Sequence, residues 1–580
     1  MYQIGTASAD ITPFFKGVGM MGYGQYHQKV QEKETDLFAR TFVFHDLESG
    51  KKIAFVNAEM CFITLSIKSE VVKRLQEKHA QLNYRDENVM LTAQHTHSAT
   101  GGYSHYAFFN FSIPGFVPEV FNTIVNGIVR SVVEADSNLQ DAKIKIGRGI
   151  FPPEQDVAFN RSMKAYNANP EVEKLKDKDR NLALDREMTM LRVDGTDGKS
   201  LGTLNWFGVH TTSVGNDRFR ICSDNKGYAS QFFEDSIDNP NFCAVFAQAP
   251  CADIMPNFIW EGKRNKMRGK FEDDFESARY NGNLQYEKAK EIYDGLANAS
   301  GLATSGIDYG LMYVDLADVL VDDQFIPEGN ENKGKEVRTG HACMGVAFFR
   351  GTVDGIGIPA SLGKVVSLLT NVVKMSNRMK SRNSADPKWK GIEQMYETQG
   401  VKDILVETGA EKILGVKNLN KLGPISLVDP SFKVLKQHYD QGAISGKPWT
   451  PQILPLQIFI IGEIAIVGIP AEISYIGGKR LKKTISNVLV NRGVTEVIIS
   501  PYANAYSGYI TTYEEYQHQC YEGGHTVFGQ WTQAAYQTKF QQLAKEMLKT
   551  EAERELDKAT KPLEFSQEEL AKRCFPTPLN

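Results

Sequence analysis

Short apolar stretches typical of buried strands alternate with stretches of helical periodicity along this chain of 580 residues. Elements that alternate in this way pack as sheets flanked by helices, because each apolar face has to be buried against another element. The chain is therefore predicted to adopt a mixed α/β fold, with candidate functional residues on loops at strand ends. The strand-like stretches are residues 42–44, 53–57, 89–93, 188–193, 201–209, 244–247, 457–469 and 495–500, and the helical stretches are residues 67–82, 116–135 and 534–573.

Charge and composition exclude several functional classes. The chain has 66 basic and 70 acidic residues, so the basic footprint of nucleic-acid binding is absent. No apolar run reaches the length of about 18 residues that a membrane span needs. The first residues lack the pattern of a secretory signal, and the seven cysteines are scattered without a CxxC pair. We therefore expect no nucleic-acid partner, no transmembrane segment, no signal peptide and no disulfide scaffold.

The segment Gln94-His95-Thr96-His97-Ser98 follows a strand-like stretch directly. In an extended segment, residues two apart project to the same side, so His95 and His97 can face one point. Two such imidazoles can bind a metal ion, but they can also be satisfied by hydrogen bonds to the backbone. The small residues 98–102 that follow would let a ligand approach the main chain.

Two further strand ends carry candidate metal ligands. His210 ends the apolar stretch 205–210, and Glu472 follows an apolar stretch and Pro470. Catalytic zinc sites combine histidine and carboxylate ligands and leave one position for water. Alternatively, His210 is a hydrogen-bonded structural residue, and Glu472 stands in the first turn of the helix that follows.

A tyrosine-rich stretch lies near the end of the chain and consists of residues 504–509 and, later, Tyr516 and Tyr521. Runs of tyrosine are typical of packing in the core or at the surface. The residue pattern by itself therefore assigns no chemistry to these tyrosines.

Taken together, these segments resemble the neutral, non-lysosomal ceramidase family over residues 5–543. Many ordered motifs are far more specific than any one motif alone. The motifs that carry the resemblance are residues 5–13, 20–24, 94–98, 159–162, 205–210, 223–228, 351–355, 468–472 and 504–512.

The resemblance implies a zinc-dependent amidase. It implies hydrolysis of the N-acyl amide bond of ceramide to a sphingoid base and a fatty acid by a zinc-activated water. The zinc ligands implied are His95, His210, Glu472 and Tyr509, and the residues implied at the scissile amide are His97, Arg161 and Tyr521. His97 is then the candidate general base and acid, because the unperturbed pKa of histidine lies near 6.5. Arg161 and Tyr521 would donate hydrogen bonds to the oxyanion or to the lipid head.

Two features depart from the family pattern. The family's Gly-Asp-Val-Ser-Pro-Asn element, whose serine has been proposed as a nucleophile, has Met255 at the serine position, and methionine cannot act as that nucleophile. Characterised members also carry a C-terminal immunoglobulin-like domain, whereas about 37 residues follow Leu543, fewer than the roughly 100 that such a domain needs. We therefore predict one large catalytic domain over residues 1–545, a charged helical extension over residues 546–580, and no immunoglobulin-like domain.

Several alternatives for the substrate and the function stay open. Ceramide is the first expected substrate, and another N-acyl lipid or an N-acyl amino acid is the alternative with the same chemistry. From a different class, the chain would be a non-catalytic relative that binds lipid. The sequence is compatible with a second, structural Mg²⁺ or Ca²⁺ ion and with peripheral membrane contact, and it indicates no oligomeric state.

Overall fold

An eight-stranded mixed sheet and a four-stranded mixed sheet form the framework of the chain. The computed structural model describes residues 2–113, 115–382, 387–422 and 430–574. Short sheets of two or three strands lie in the connections, and helices cover the two large sheets. The predicted fold class, mixed β-sheets flanked by helices, is confirmed.

The strands of the described residues are numbered in chain order. They are β1 (Tyr2–Asp10), β2 (Met20–Met21), β3 (Glu32–Lys33), β4 (Phe38–Asp46), β5 (Lys52–Ala58), β6 (Val89–Ala93), β7 (Ala99–Thr100), β8 (Gln140–Ile150), β9 (Phe159–Asn160), β10 (Glu187–Gly195), β11 (Ser200–Phe207), β12 (Arg220–Ile221), β13 (Cys243–Gln248), β14 (Ile254–Met255), β15 (Ile259–Glu261), β16 (Lys266–Arg268), β17 (Ile307–Asp315), β18 (Met344–Gly345), β19 (Ile404–Glu407), β20 (Lys412–Ile413), β21 (Ile453–Ile461), β22 (Ile464–Gly468), β23 (Glu472–Ile473), β24 (Glu496–Ser500) and β25 (Tyr509–Ile510).

The α-helices of the same ranges are numbered in the same way. They are α1 (Leu65–Lys78), α2 (Pro118–Ser137), α3 (Met163–Tyr166), α4 (Asp224–Asp235), α5 (Asp274–Gly295), α6 (Val346–Phe349), α7 (Ala360–Arg382), α8 (Pro387–Gln399), α9 (Pro430–Asp440), α10 (Tyr475–Leu489), α11 (Tyr513–Gln517), α12 (Tyr521–Gly524), α13 (Thr532–Glu546) and α14 (Gln567–Lys572). Within the described ranges, every helix is too short or too polar to cross a membrane.

The eight-stranded sheet is curled so that its two end strands meet. Its order is β13-β11-β10-β8-β1-β4-β5-β6, with parallel pairs only at β11–β13 and β5–β6. Across the curl, β13 also contacts β5 and β6. Gln248, at the end of β13, donates from Nε2 to the carbonyl oxygens of Gln94 (2.9 Å) and Val209 (2.6 Å). The C-terminal ends of β6, β11 and β13 therefore lie at one place.

The four-stranded sheet packs against the eight-stranded sheet. Its order is β17-β21-β22-β24, with β22 and β24 parallel. Phe55 of the first sheet and Phe459 of the second belong to the same buried cluster. Asn504, after β24, joins the two sheets. Its backbone N–H donates to the carbonyl of Leu91 (2.8 Å), and its side-chain Oδ1 accepts from the backbone N–H of Leu91 (3.0 Å). The loop that follows β24 is thus fixed beside β6. The amide of Ala503 in this loop also donates to the carbonyl of Ile469, directly after β22, at 2.9 Å.

Three of the predicted elements are confirmed with small shifts of their ends. The hairpin predicted around residues 194–198 is formed by β10 and β11, and Gly198 in its turn adopts a φ of +87°. The predicted strand 89–93 is β6. The predicted helix 116–135 is α2, which starts with Pro118 at its first turn, where a missing amide hydrogen costs nothing.

The helical stretch predicted over residues 534–573 is confirmed only at its two ends. Helix α13 ends at Glu546 and α14 begins at Gln567, and only a short 3₁₀ turn, Glu551–Glu553, lies between them. Pro562 stands in this interval, and proline inside a helix removes a hydrogen bond and clashes with the preceding turn. The division of the chain into a domain over residues 1–545 and an extension stays a prediction.

Candidate active site

The ends of four strands bring the predicted metal ligands close together. His95 lies two residues after β6 and His210 three residues after β11, while Glu472 and Tyr509 open β23 and β25. These two short strands are parallel and pair Glu472 with Tyr509, and the Glu472 amide donates to the carbonyl of Gly508 at 2.8 Å. Backbone pairing thus makes neighbours of two loops that are separate in the sequence.

His95 is held in a left-handed backbone conformation, with a φ of +80°. Such a conformation costs about 1–3 kcal/mol in a residue other than glycine and persists only where the surroundings enforce it. The His95 amide donates to the carbonyl of Met60 (3.0 Å), and its ring stacks on Tyr502 with 4.1 Å between ring centroids. Nδ1 of His95 lies 2.6 Å from the carbonyl oxygen of Cys61. These contacts fix the position of the imidazole.

His210 is held by backbone carbonyls in the same way. Its Nδ1 lies 2.8 Å from the carbonyl oxygen of Cys251 and 2.9 Å from that of Ile254. Because carbonyl oxygens only accept, His95 and His210 each carry a hydrogen on Nδ1, which leaves Nε2 as the nitrogen that faces Glu472. This tautomer is the one that binds metal ions through Nε2.

Glu472 lies between the two imidazoles. Its Oε1 is 3.5 Å from Nε2 of His95, and its Oε2 is 3.2 Å from Nε2 of His210. The three side chains each offer a ligand atom within 4.8 Å of the others. Nε2 of His210 nevertheless has no hydrogen-bond partner of acceptable geometry in the described part of the chain. Donor atoms that are close together but not bonded to one another fit a shared cation.

Burial and neighbouring charges set the protonation of these ligands. Burial lowers the pKa of His95 to about 4, against the opposing charge of Glu472, so its imidazole is neutral at neutral pH. Burial would raise the pKa of Glu472, but His95 and His210 outweigh it and hold that pKa below its usual value. The hydroxyls of Tyr502 and Tyr506 also donate to the Glu472 carboxylate. Burial and the charge of Arg161 would lower the pKa of His210, but its polar contacts with Cys251 and Glu472 outweigh them and raise that pKa to about 10. A cation bound between the imidazoles and the carboxylate would replace that proton. Imidazole and carboxylate side chains are donors that zinc prefers.

The Tyr509 hydroxyl is the remaining oxygen of the predicted set. It accepts a hydrogen bond from Nη2 of Arg161 at 3.4 Å. Burial, and then the charge of Glu472, raise the pKa of Tyr509 well above its ordinary value, so the group is a neutral phenol. Nitrogen and oxygen donors in this combination fit a zinc ion.

A second possible ligand set shares His95 and consists of Cys61, His95 and His97. Sγ of Cys61 approaches Nδ1 of His95 at 3.8 Å, but that nitrogen is already occupied by a backbone carbonyl. Burial also raises the pKa of Cys61 well above its ordinary value, so the thiol keeps its proton. A protonated thiol is a poor ligand. The geometry therefore favours the set that contains Glu472.

His97 lies directly beside the ligand set. Its Nε2 is 3.1 Å from Nε2 of His95, and its Nδ1 is buried without a hydrogen-bond partner among the described residues. The ring stands edge-on to Tyr23, and Gly22 passes so close to it that a Cβ there would clash. Burial lowers the pKa of His97 well below its usual value. The imidazole is therefore unprotonated at neutral pH and able to accept a proton.

Arg161 and Tyr521 lie next to Tyr509. Nε of Arg161 donates to Glu522 at 2.8 Å, and Nη1 lies 3.6 Å from Asp354. The Tyr521 ring is 5.4 Å from the guanidinium carbon of Arg161 and 5.5 Å from the ring of Tyr509. All seven predicted site residues are therefore in one region of the molecule.

Five further side chains of this region are not predicted from the sequence. Tyr502 and Tyr506 donate to Glu472, and for Tyr506 this departs from the packing interpretation of the tyrosine-rich stretch. Asp354 and Glu522 hold Arg161. His525 lies 5.5 Å from the Tyr509 ring, and both of its ring nitrogens are buried without a partner among the described residues. Tyr502 and Tyr506, four residues apart in a loop after a strand, are the one usable sequence signal.

Met255 is fully buried in β14, which pairs with β9. The residue before it, Ile254, supplies a carbonyl oxygen to His210, and Asn257 donates to Asp354 at 3.0 Å. The backbone of this segment therefore positions the site. The Met255 thioether has no proton to give and accepts hydrogen bonds only weakly.

Comparison with known proteins gives consistent matches over most of the chain. A family model described as "Neutral/alkaline non-lysosomal ceramidase, N-terminal" matches residues 2–418 and 436–538. The neutral ceramidase of Pseudomonas aeruginosa is 32% identical over 548 residues, which cover 94% of this chain and 72% of that protein. Neutral ceramidase A of Dictyostelium discoideum is 31% identical, with 94% and 73% covered.

Two solved structures also match. The crystal structure of the Pseudomonas aeruginosa neutral ceramidase aligns with a TM-score of 0.73 at 30% identity, over 94% of this chain and 74% of that chain. A ceramidase complexed with C2 aligns with a TM-score of 0.76 at 31% identity, over 97% of this chain and 78% of that chain.

Proposed function

The chain belongs to the neutral/alkaline non-lysosomal ceramidase family, and on that premise we propose that it hydrolyses the N-acyl amide bond of ceramide with a bound zinc ion. It is a hydrolase that acts on an amide bond, and the products are a sphingoid base and a fatty acid. The proposed zinc ligands are His95, His210, Glu472 and Tyr509, and the residues proposed at the scissile bond are His97, Arg161 and Tyr521.

The arrangement of His95 and His210 around Glu472 is the observation that carries the proposal. Each Nδ1 lies against backbone carbonyls, and each Nε2 lies within 3.5 Å of the carboxylate. Backbone acceptors that fix the tautomer and orientation of a histidine are characteristic of metal ligands. When bound, a zinc ion polarises the amide carbonyl and lowers the pKa of a water molecule to about 7.

His97 is the proposed general base and general acid. Its neutral imidazole has Nε2 3.1 Å from Nε2 of His95, so a ring that can take up a proton lies directly beside the ligand atoms. We infer that His97 accepts a proton from the attacking water and then gives it to the leaving nitrogen of the sphingoid base. Proton transfer of this kind contributes about 10²–10⁴ in rate.

Arg161 and Tyr521 are the proposed donors to the oxyanion or to the hydroxyl groups of the substrate. Glu522 and Asp354 fix the guanidinium of Arg161, so its donors stand in place before the reaction starts. Donors fixed in advance stabilise developing charge without the cost of reorganisation. Because Met255 offers no hydroxyl, water rather than a side chain at that position is the proposed nucleophile.

The test combines metal analysis with hydrolysis of a fluorescent ceramide in detergent micelles. The purified protein should contain about one zinc ion, lose activity on chelation and regain it with zinc. His210→Ala should lose zinc and reduce the rate by about 10³-fold or more. His27→Ala replaces an exposed histidine and is the matched control, which should keep both metal and activity.

The outcomes separate the alternatives. Hydrolysis that survives complete removal of zinc contradicts the zinc route. Cleavage of N-acyl amino acids but not of ceramide by the zinc-loaded protein favours the other amide substrate. Binding of ceramide without cleavage of either substrate identifies a non-catalytic lipid-binding relative.

A further inference from the structure

Helix α7 turns a continuous apolar face away from the protein. Its most exposed members are Leu368 (67% exposed), Met375 (66%), Val372 (63%) and Met379 (62%). Successive members lie one, three or four residues apart, so they form one stripe along the helix. We call this stripe the outer face of α7, and it consists of Leu362, Val365, Leu368, Leu369, Val372, Met375 and Met379.

The opposite side of α7 is firmly packed. The helix contacts α6, α8 and β19. Nζ of Lys374 donates to the carbonyl of Gly400 at 3.0 Å, and Asn377 donates to the hydroxyl of Tyr396 at 3.0 Å. These contacts fix the rotation of the helix about its axis. The apolar stripe is therefore held outward by the fold.

The charge of α7 differs from that of the chain as a whole. The helix contains five basic residues and no acidic residue, whereas the whole chain has a net charge of −4. Lys364 and Lys380 are exposed, and Arg378 is partly exposed beside Glu393. Exposed apolar side chains accompanied by basic ones are typical of helices that lie in the surface of a membrane.

The outer face is linked to the candidate active site by the segment that precedes α7. The loop between α6 and α7 exposes Val353 and Ile356, while Asp354 between them is buried and lies 3.6 Å from Arg161. At the other end of this connection, the Phe348 ring of α6 lies 5.0 Å from the ring of Tyr521. One short segment thus joins the exposed apolar surface to the residues proposed at the scissile bond.

We propose that the outer face of α7 docks on a lipid bilayer that carries anionic headgroups. The apolar side chains enter the boundary between headgroups and acyl chains, and the exposed Lys364 and Lys380 contact lipid phosphates. Two copies of this chain meeting through the same face would bring their basic residues together, and repulsion opposes that contact. Within the described ranges no helix can cross a membrane, so α7 lies on the bilayer.

The role of this surface in catalysis rests on the proposed function. A docked α7 would hold the opening of the site against the bilayer that contains ceramide. The rate on ceramide in vesicles would then depend on the outer face, whereas the rate on a soluble short-acyl ceramide would not. Membrane docking itself does not depend on the reaction.

The test uses the full chain and vesicles of phosphatidylcholine with or without phosphatidylglycerol. The protein should co-sediment with the anionic vesicles, and less so at high salt. The triple substitution Leu368→Glu, Val372→Glu and Met375→Glu should reduce vesicle binding and vesicle-ceramide hydrolysis by about tenfold or more, with soluble-substrate rates unchanged. Ile150→Glu, at a site exposed to 66%, is the matched control and should bind as the parent does.

Each outcome decides a separate point. A parent protein that ignores anionic vesicles, or a triple variant that binds them equally well, overturns the docking surface. A dimer of the parent that the triple variant abolishes, measured by light scattering, overturns it in favour of contact between copies. Vesicle binding without hydrolysis of any ceramide leaves the surface standing and contradicts the proposed function instead.

Discussion

We call the cluster of His95, His210 and Glu472 the ligand centre. It buries polar side chains, whereas the outer face of α7 exposes apolar ones. At the ligand centre, Glu472 is 2% exposed, lies between two imidazoles and accepts hydrogen bonds from two tyrosine hydroxyls. On the outer face, apolar side chains such as Leu368 are exposed, whereas most leucine, valine and methionine side chains in the rest of the described chain are buried. Unsatisfied buried polar atoms and exposed apolar patches are both unfavourable in isolation. Under the two proposals, a bound cation would compensate the buried polar atoms, and a lipid surface would cover the exposed apolar patch.

The difference suggests that chemistry and substrate delivery are separable in this molecule. The rate of bond cleavage should depend on the ligand centre for every form of the substrate. The outer face should affect only substrate that is presented in a membrane. Three substitutions test that separation.

The largest effect is expected for His97→Gln. Glutamine has a similar reach but cannot accept a proton at neutral pH, so the rate on both soluble and vesicle ceramide should fall by about 10²–10⁴. Zinc content, measured by mass spectrometry of the purified protein, should stay that of the parent. Loss of zinc, or a rate within about tenfold of the parent, would exclude the assigned role.

An intermediate effect is expected for Asp308→Asn, far from the chemistry. Asp308 is 3% exposed in β17 and pairs with Arg492 (2.6 Å), Lys51 (2.8 Å) and Arg554. Burial alone would raise the pKa of Asp308, but the surrounding cations bring it down to about 2. The substitution should lower the free energy of unfolding by about 2 kcal/mol at pH 7. Vesicle binding and the rate per folded molecule should not change.

The pH dependence of this effect has a definite sign. The folded pKa of Asp308 lies below the usual value of about 3.9, so the stabilisation is complete above about pH 4 and is lost as the pH falls through about 2. Urea unfolding should show the difference between parent and variant narrowing below pH 4. Asp318→Asn, at an exposed ion pair with Arg338, is the control and should cost about 0–1 kcal/mol. A difference that stays constant with pH would count against the ion cluster.

The last substitution, Met255→Ser, is expected to change the rate only slightly. If water is the nucleophile, a hydroxyl at this position should leave the rate within about threefold of the parent. Loss of a buried thioether should lower the free energy of unfolding by about 1–3 kcal/mol. A rise of about 100-fold in rate would mean that the serine at position 255 can attack the amide. Water would then not be the sole nucleophile.

The sequence alone predicts the part of the site that depends on strand ends. An apolar strand that runs into His95, and another that runs into His210, can be recognised because β6 and β11 have clear patterns and defined ends. The curl of the sheet that brings these ends together is not encoded in any local pattern, and the family resemblance supplied that link. Strands β23 and β25 have two residues each, too short for any periodicity, although they pair Glu472 with Tyr509.

The outer face of α7 could not be predicted for a different reason. Helical periodicity predicts that one face of a helix is apolar, but it does not indicate whether that face packs in the core. Tertiary contacts, such as those of Lys374 and Asn377, fix which face of α7 is turned inward. The ion pairs of Arg161 also have no local sequence pattern, because its two acidic partners, Asp354 and Glu522, lie 168 residues apart in the sequence (522 − 354).

The division of the ligands between two sheets makes the proposed ion a cross-link. His210 follows a strand of the first sheet and Glu472 a strand of the second, 262 residues later (472 − 210). An ion bound by both residues would link these two distant parts of the chain. Its binding free energy would stabilise the protein only while both sheets stay folded, because the ligands come together only in that state. Calorimetry should then record one cooperative transition for the loaded protein, whereas the stripped protein should melt earlier and over a broader range.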